Sequence, residues 1–397
     1  MSFDGFDLPD DLQLLSDTLR GFVRDEIVAA ESDVDPAARE IPEHILKPLQ
    51  AKAKAAGLWC MDAPEEFGGG GLGAFAMTVV HEAAAGHRYA FPTPGGGALG
   101  YSPPVVLYKG SPAQVEKYVI PTIAEAKSAF TAISEPTGGS DPARAIRTVA
   151  ERRGDVYVLN GRKMWATNAD SATYGVIYAR TSASGGRSGI SAFVVDKDTP
   201  GLEVTPVPVL RNHWTTEVSL ENVEIPVENL IGGEGEGFAL AQQWLVRGRL
   251  MLAAQSVGVA EAAVRIAVDW AKERETFGAL LGSRQGVQFP LADSVTEIAA
   301  ARHLTWQAAW RYDQGFDARR ESSMAKLFAT EMGFRVIDRC MQILGGMGVA
   351  KEMPLEHWFR DLRVTRIVEG ASEVQRYLIA RDLLGAAATG KPAVARV

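Results

Sequence analysis

Apolar positions recur at helical spacing from Leu12 through Leu15, Leu19, Phe22, Val23 and Ile27, with Asp10 and Asp11 placed to cap the start. The pattern predicts a first helix there and a second from Pro42 through Ile45, Leu46 and Leu49 to Leu58. The glycine tract 67–73 breaks that run, and a third helix follows through His81 and Glu82. A short helical run at 113–123 ends the region, so residues 1–125 read as an N-terminal helical domain. Between 126 and 234 the period changes. Short apolar or alternating runs at 130–133, 156–159, 174–179, 190–195, 202–209 and 218–225 are separated by turn residues. The turns fall at 138–141, 184–186, Pro200-Gly201 and Asn160-Gly161, the last a hairpin signal. This stretch predicts a middle antiparallel β-barrel domain. From 235 to 397 helical spacing returns, over 238–274, 287–312 and 322–344, with a fourth helix starting near Ser372. Met324, Phe328, Met332, Val336, Cys340 and Leu344 mark one side of the third of these. A C-terminal four-helix bundle follows, and the fold class is α+β.

The composition changes little in this picture and removes several functions. Of 397 residues, 46% are hydrophobic and 23% charged, as in a globular chain with a large core. A net charge of −8 argues against nucleic-acid binding and against anionic membrane surfaces. No apolar run is expected to span a membrane. Cys60 and Cys340 are too few for a disulfide framework or a cysteine metal site. The acidic start resembles no targeting signal, so a cytoplasmic location is expected. The glycine tract spells G-x-G-x-x-G but follows Pro64-Glu65-Glu66, not a strand, so it does not predict a dinucleotide fold. His81 and His87 are six residues apart where a zinc helix needs four, and no metal site is predicted. Residues 385–391 resemble a P-loop but lack its Ser/Thr.

The stretch 342–376 carries the chemistry. Gln342-Ile343-Leu344-Gly345-Gly346-Met347-Gly348 closes a helical pattern, a charged connection with Arg360-Asp361 follows, and Val368-Glu369-Gly370-Ala371-Ser372 precedes another helix. Glycines let a backbone approach a ligand, and a helix start offers free N–H groups. A carboxylate in an apolar setting is driven toward a higher pKa, which suits a proton abstractor near neutrality. A plain helix–loop–helix with Glu369 as a first-turn acid accounts for the same letters.

Four motifs, in order and at matching spacing, resemble those of the acyl-CoA dehydrogenase family over nearly the whole chain. Ile133-Ser134-Glu135-Pro136-Thr137-Gly138-Gly139-Ser140-Asp141 is similar to its T-E-P-x-x-G-S-D. Lys163-Met164-Trp165-Ala166-Thr167-Asn168 is similar to K-x-W-I-T-N, and Arg274-Glu275-Thr276-Phe277-Gly278 with Gln285 to R-x-x-F-G and its glutamine. The 342–376 stretch is similar to Q-x-x-G-G-x-G, R-D and E-G-T-S-x-x-Q-R.

The resemblance implies FAD as cofactor. Thr131, Ile133, Ser134, Trp165 and Thr167 would lie along its ring, with Ser134 and Thr167 as donors to the polar edge. Arg274, Thr276, Phe277, Gln285, Gln342, Gly345 and Gly346 fall where family members touch the FAD of a neighbouring subunit, and Ala371 and Glu373 join the cofactor set. A shared cofactor implies at least a dimer, and the resemblance implies a homotetramer built as a dimer of dimers. Glu369 matches the catalytic base. The alternative base position of some members is Gly248 here, ahead of Arg249, and glycine abstracts no proton. Ser140, Arg249 and Gly370 match positions near the acyl-CoA substrate. The implied reaction removes the α-proton by Glu369 and passes a hydride to flavin N5, giving a trans-2-enoyl-CoA. An electron-transferring flavoprotein is the implied acceptor. An oxidase or monooxygenase on the same fold, or a non-catalytic flavin-binding scaffold, would share these motifs. Three departures stand out: Ala371 where threonine is usual, Ser134 where threonine is commoner, and bulky Trp214 in the run 212–216.

Overall fold

A computed structural model describes residues 7–182, 186–211 and 215–389. The chain divides into two compact units. The first comprises Met1–Leu58, Leu72–Leu99 and Val246–Val397; the second comprises Trp59–Gly71 and Gly100–Leu245.

The first unit is helical. The helix Asp10–Phe22 carries two acids in its first turn and Arg20 in its last, a charge order that suits the helix dipole. Glu43–Ala55 and Ala74–Ala83 follow. After them come most of Gly237–Glu273, then Gln285–Asp313, Arg319–Leu344, Pro354–Thr365 and Ser372–Leu384. One core joins Phe75, Val257, Ala260, Trp306, Met332, Val336, Trp358 and Leu362.

Three outcomes differ from the sequence pattern. The charged connection after Gly348 contains a helix, Pro354–Thr365, which buries Leu355, Trp358 and Leu362 and starts with proline at its first position. Met324 is exposed although Met332, Val336, Cys340 and Leu344 on the same four-residue row are buried. A four-residue row drifts about 40° around a helix per step, so its far end leaves the core face. Ser322, Ser323, Ala325 and Lys326 take the inward positions there. Finally, Gly237–Glu273 is long and apolar enough to cross a membrane, against expectation, but 72% of its most apolar stretch is buried, as in a core helix.

The second unit holds an eight-stranded sheet: β1 Ala129–Ala132, β2 Val149–Arg153, β3 Val156–Thr167, β4 Tyr174–Arg180, β5 Ile190–Asp196, β6 Leu202–Val207, β7 Thr215–Pro226 and β8 Leu230–Ile231. The strand order is β6-β7-β3-β2-β4-β5-β8, with β1 beside β4. Most pairings are antiparallel, but β1 and β2 each run parallel to β4. Apolar residues of β4 and β5 are buried on both faces, Ile177, Phe193 and Val195 on one and Val176, Ala192 and Val194 on the other. That is why these strands read as continuous apolar runs.

Asn160-Gly161 is not a hairpin turn. It lies inside β3, at a register shift against β7 between Leu159 and Gly161. The hairpin turns instead at Gly154-Asp155, between β2 and β3. A Cβ on Gly161 would sit 2.5 Å from Thr148 Oγ1, so the glycine serves close backbone approach. The expected turn at 184–186 falls largely outside the described residues, as do positions 390 and 391 of the P-loop-like tail.

Candidate active site

Glu369 sits on the loop between the helices Pro354–Thr365 and Ser372–Leu384. Its φ is 55° and that of Gly370 is 88°, so two successive residues are left-handed. Only glycine adopts that backbone freely. The loop is tied by Ser372 N–H donating to the Arg366 carbonyl at 3.0 Å. Gln375 Nε2 donates to the carbonyls of Glu369 at 3.1 Å and Gly370 at 2.8 Å. The residue keeps some surface, but its Oε2 is enclosed and has no hydrogen-bond partner among the described residues. Burial pushes the carboxyl up to about 7, against the opposing pull of Arg249 and Lys326. Arg249 is itself buried; its Nη1 donates to Ser323 Oγ at 3.3 Å, and its Nε has no partner among the described residues. Burial also draws the Lys326 ammonium down to about 8. The result is a carboxylate with a free lone pair, poised to accept a proton near neutrality and flanked by two cations.

Ala371 occupies the N-cap of the Ser372–Leu384 helix, with φ −54° and ψ 157° and no side-chain cap. The backbone already has N-cap geometry, so the missing hydroxyl is the only defect. Ala371→Ser is expected to raise stability by ~1 kcal/mol, read as a higher denaturant midpoint at unchanged slope. An unchanged midpoint would show that the helix start is satisfied in another way.

In the second unit, β1 carries Thr131 and continues to Ile133 and Ser134. The Met164 N–H donates to the Ser134 carbonyl at 2.9 Å, which places the first two motifs side by side. At Trp165 the β3–β7 register shifts, between Met164 and Ala166, and Trp165 itself has φ 68°. A bulge re-aims a side chain, and the Trp165 indole is 53% exposed. Thr167 pairs with Thr215. Beside it, Asn168 Oδ1 and Thr215 Oγ1 are buried without hydrogen-bond partners. Under this strand end lies an ion pair that motif reading did not assign. Lys163 Nζ lies 2.8 Å from Glu135 Oε1, both side chains buried. Glu135 also accepts from Thr148 Oγ1 at 2.6 Å and from the backbone N–H groups of Arg147 and Thr148. Burial pushes Glu135 up, but Lys163 and these donors outweigh it and hold the carboxyl below its usual range.

The remaining predicted residues lie open. Arg274, Phe277, Gln285, Gln342, Gly345, Gly346 and Glu373 are exposed, and Thr276 and Gly370 are half-buried. Arg274 stacks 5.9 Å from the Trp270 ring centre and makes no ion pair among the described residues. Phe277 is 99% exposed with φ 52°. Ser140 is exposed on the loop after Glu135.

Family models of the acyl-CoA dehydrogenase N-terminal, middle and C-terminal domains match residues 9–126, 130–223 and 235–384. The chain belongs to the acyl-CoA dehydrogenase family. It is 38% identical over 390 residues to the human mitochondrial short-chain specific acyl-CoA dehydrogenase, covering 96% of this chain and 92% of the relative. The butyryl-CoA dehydrogenase structure from Megasphaera elsdenii superposes with a TM-score of 0.84 at 30% identity, covering 97% of this chain and all of that one. A structure described as an electron transferring flavoprotein of Acidaminococcus fermentans superposes with a TM-score of 0.85 at 33% identity, covering 97% and 100%.

Like other acyl-CoA dehydrogenases, the protein is an FAD-dependent enzyme. Its own residues fit a flavin. The second unit presents an exposed indole beside two orphaned buried oxygens, a surface for a flat ring with a hydrogen-bonding edge. Of the departures from the family pattern, Ala371 leaves its helix uncapped, and Asn212, His213 and Trp214 lie outside the described residues.

Proposed function

We propose that this acyl-CoA dehydrogenase carries out α,β-dehydrogenation of acyl-CoA thioesters with Glu369 as the base. The enclosed Glu369 Oε2, without a hydrogen-bond partner among the described residues, is the observation that carries this reading, and its burial pushes the carboxyl up to about 7. Glu369 accepts the proton from the carbon next to the thioester. Its own backbone N–H makes no hydrogen bond among the described residues and donates to the thioester oxygen, where charge develops. Arg249, buried and cationic, favours the ionised form of the base before the reaction. FAD, when bound, supplies the sink for the two electrons that leave with the β-hydrogen. In the second unit Ser134, Trp165 and Thr167 would hold that cofactor, and in the first Gly370 would border the thioester.

Anaerobic mixing with butyryl-CoA tests the proposal: the yellow colour should bleach and a trans-2-enoyl-CoA should appear. Colour that no acyl-CoA bleaches would instead mark a flavin-binding scaffold. Peroxide release in air at the rate of turnover would mark an oxidase.

We further propose a homotetramer and an electron-transferring flavoprotein as electron acceptor. The exposed aromatic residues Phe277 and Phe289 and the exposed Arg274, which makes no ion pair among the described residues, support the first, since a lone subunit gains nothing by exposing them. Phe277→Asp is expected to lower the mass seen by light scattering below that of the tetramer. Arg274→Ala is expected to lose flavin on gel filtration. Unchanged mass and flavin content would remove the shared-cofactor arrangement.

A further inference from the structure

Lys326 lies on the Arg319–Leu344 helix and is fully buried. A buried ammonium is costly unless it is paired and hydrogen-bonded. Its Nζ donates at 2.9 Å to the carbonyl of Gly370, the residue directly after Glu369. That carbonyl accepts a second bond from Gln375 Nε2 at 2.8 Å. Two donors from two helices therefore converge on one carbonyl oxygen. The same helix grips the loop again further on. Glu331 accepts from Ser372 Oγ at 2.6 Å and pairs with Arg366 at 2.9 Å. A non-glycine residue at φ 55° is strained, and it persists only where its surroundings over-determine it. The pair of hydrogen bonds to the Gly370 carbonyl is such a constraint. A neutral donor would satisfy a carbonyl equally well, so the choice of a lysine adds a charge beside the carboxylate.

We propose that Lys326 is a positioning residue for the base: its ammonium clamps the Gly370 carbonyl, holds Glu369 in its left-handed conformation, and favours the ionised carboxylate. This rests on the reading of Glu369 as the base. The charged groups facing Lys326 are Glu369, Arg249, Glu331 and Glu373; those facing Glu369 are Arg249 and Lys326. Arg249 remains when Lys326 is changed, so part of the electrostatic support survives and the shift is partial.

The test compares wild type, Lys326→Met and Lys326→Gln, each loaded with FAD, in two measurements. One is the limiting rate of anaerobic flavin bleaching by butyryl-CoA against pH. The other is the titration of the Glu369 carboxyl, read as the infrared difference from Glu369→Gln in the same background. Both lysine variants are expected to move the carboxyl titration and the acid limb of the rate upward by about half to one pH unit, which is a three- to tenfold lower rate at pH 6. Lys326→Gln keeps a donor for the Gly370 carbonyl, so its plateau rate at high pH should exceed that of Lys326→Met. If Lys326→Met does not fold, the shift in Lys326→Gln alone decides. A folded, yellow Lys326→Gln whose carboxyl titrates as in wild type would overturn the proposal. A Glu369→Gln control that bleaches at the wild-type rate would overturn it differently, by removing the base on which it rests.

Discussion

Replacing Glu369 by glutamine will leave a folded, yellow protein whose flavin an acyl-CoA bleaches ~10²–10⁴-fold more slowly, the usual worth of a general base. Glutamine keeps the size and the backbone but cannot take a proton. Stopped-flow absorbance under anaerobic conditions reads the loss directly. The same change will stabilise the fold at alkaline pH. Burial raises the carboxyl from 4.5 to about 7, so ionising it costs the folded state more than the unfolded one. Below the unfolded value both states hold the proton and the penalty is absent. It grows as pH rises through the window between the two values and is complete above about 7. At pH 8 Glu369→Gln should therefore be more stable than wild type by roughly 2–3 kcal/mol, and at pH 4 the two should be nearly equal. A base that destabilises its own fold would exchange stability for activity. Equal stability at both pH values would mean that Glu369 is solvated and the burial argument fails.

The second large effect belongs to Glu135. Changing it to leucine leaves the fully buried Lys163 without its carboxylate. An uncompensated buried charge costs ~3–5 kcal/mol, so Glu135→Leu should unfold at a much lower denaturant concentration than wild type. The pair Glu135→Leu with Lys163→Met should recover most of that loss, because both charges leave together. Thr148 and two backbone N–H groups also lose an acceptor, so recovery should stop short of wild type. Lower flavin content in Glu135→Leu is expected as well, since the Ser134 carbonyl bonds the strand that carries Trp165. A single variant as stable as wild type would show that the pair is not what holds these strands.

Helical spacing exposed the long helices because each buries a stripe wide enough to repeat. The helix starting at Ser372 was legible from its preceding Glu-Gly turn, and it begins there. Pro354–Thr365 was not, because its charged residues Arg360, Asp361 and Arg363 mask the buried Leu355, Trp358 and Leu362. Asn160-Gly161 misled for a reason of chemistry. The same pair that makes a tight turn also suits a bulge, and only the approach of Thr148 distinguishes the two. Glu369 was legible through its neighbours Gly370 and Ser372. The hold on its loop was not, since the carbonyl of the next residue is bonded by Lys326 and Gln375, the former 43 positions away in the chain. Lys326 left no local signal: one lysine on an amphipathic helix reads as surface. Glu135 and Lys163 each stood within a motif, but that they answer one another is a fact of the sheet, with Met164 bonded to Ser134 between them.

The most direct test is the rate of anaerobic flavin bleaching by butyryl-CoA carrying deuterium at the α-carbon, measured from pH 5 to 9 beside the unlabelled thioester. Proton removal by Glu369 predicts a slower rate with the label and a limiting rate that climbs to a plateau above about pH 7, in step with its carboxyl. A rate indifferent to α-deuterium and flat across that range would contradict it.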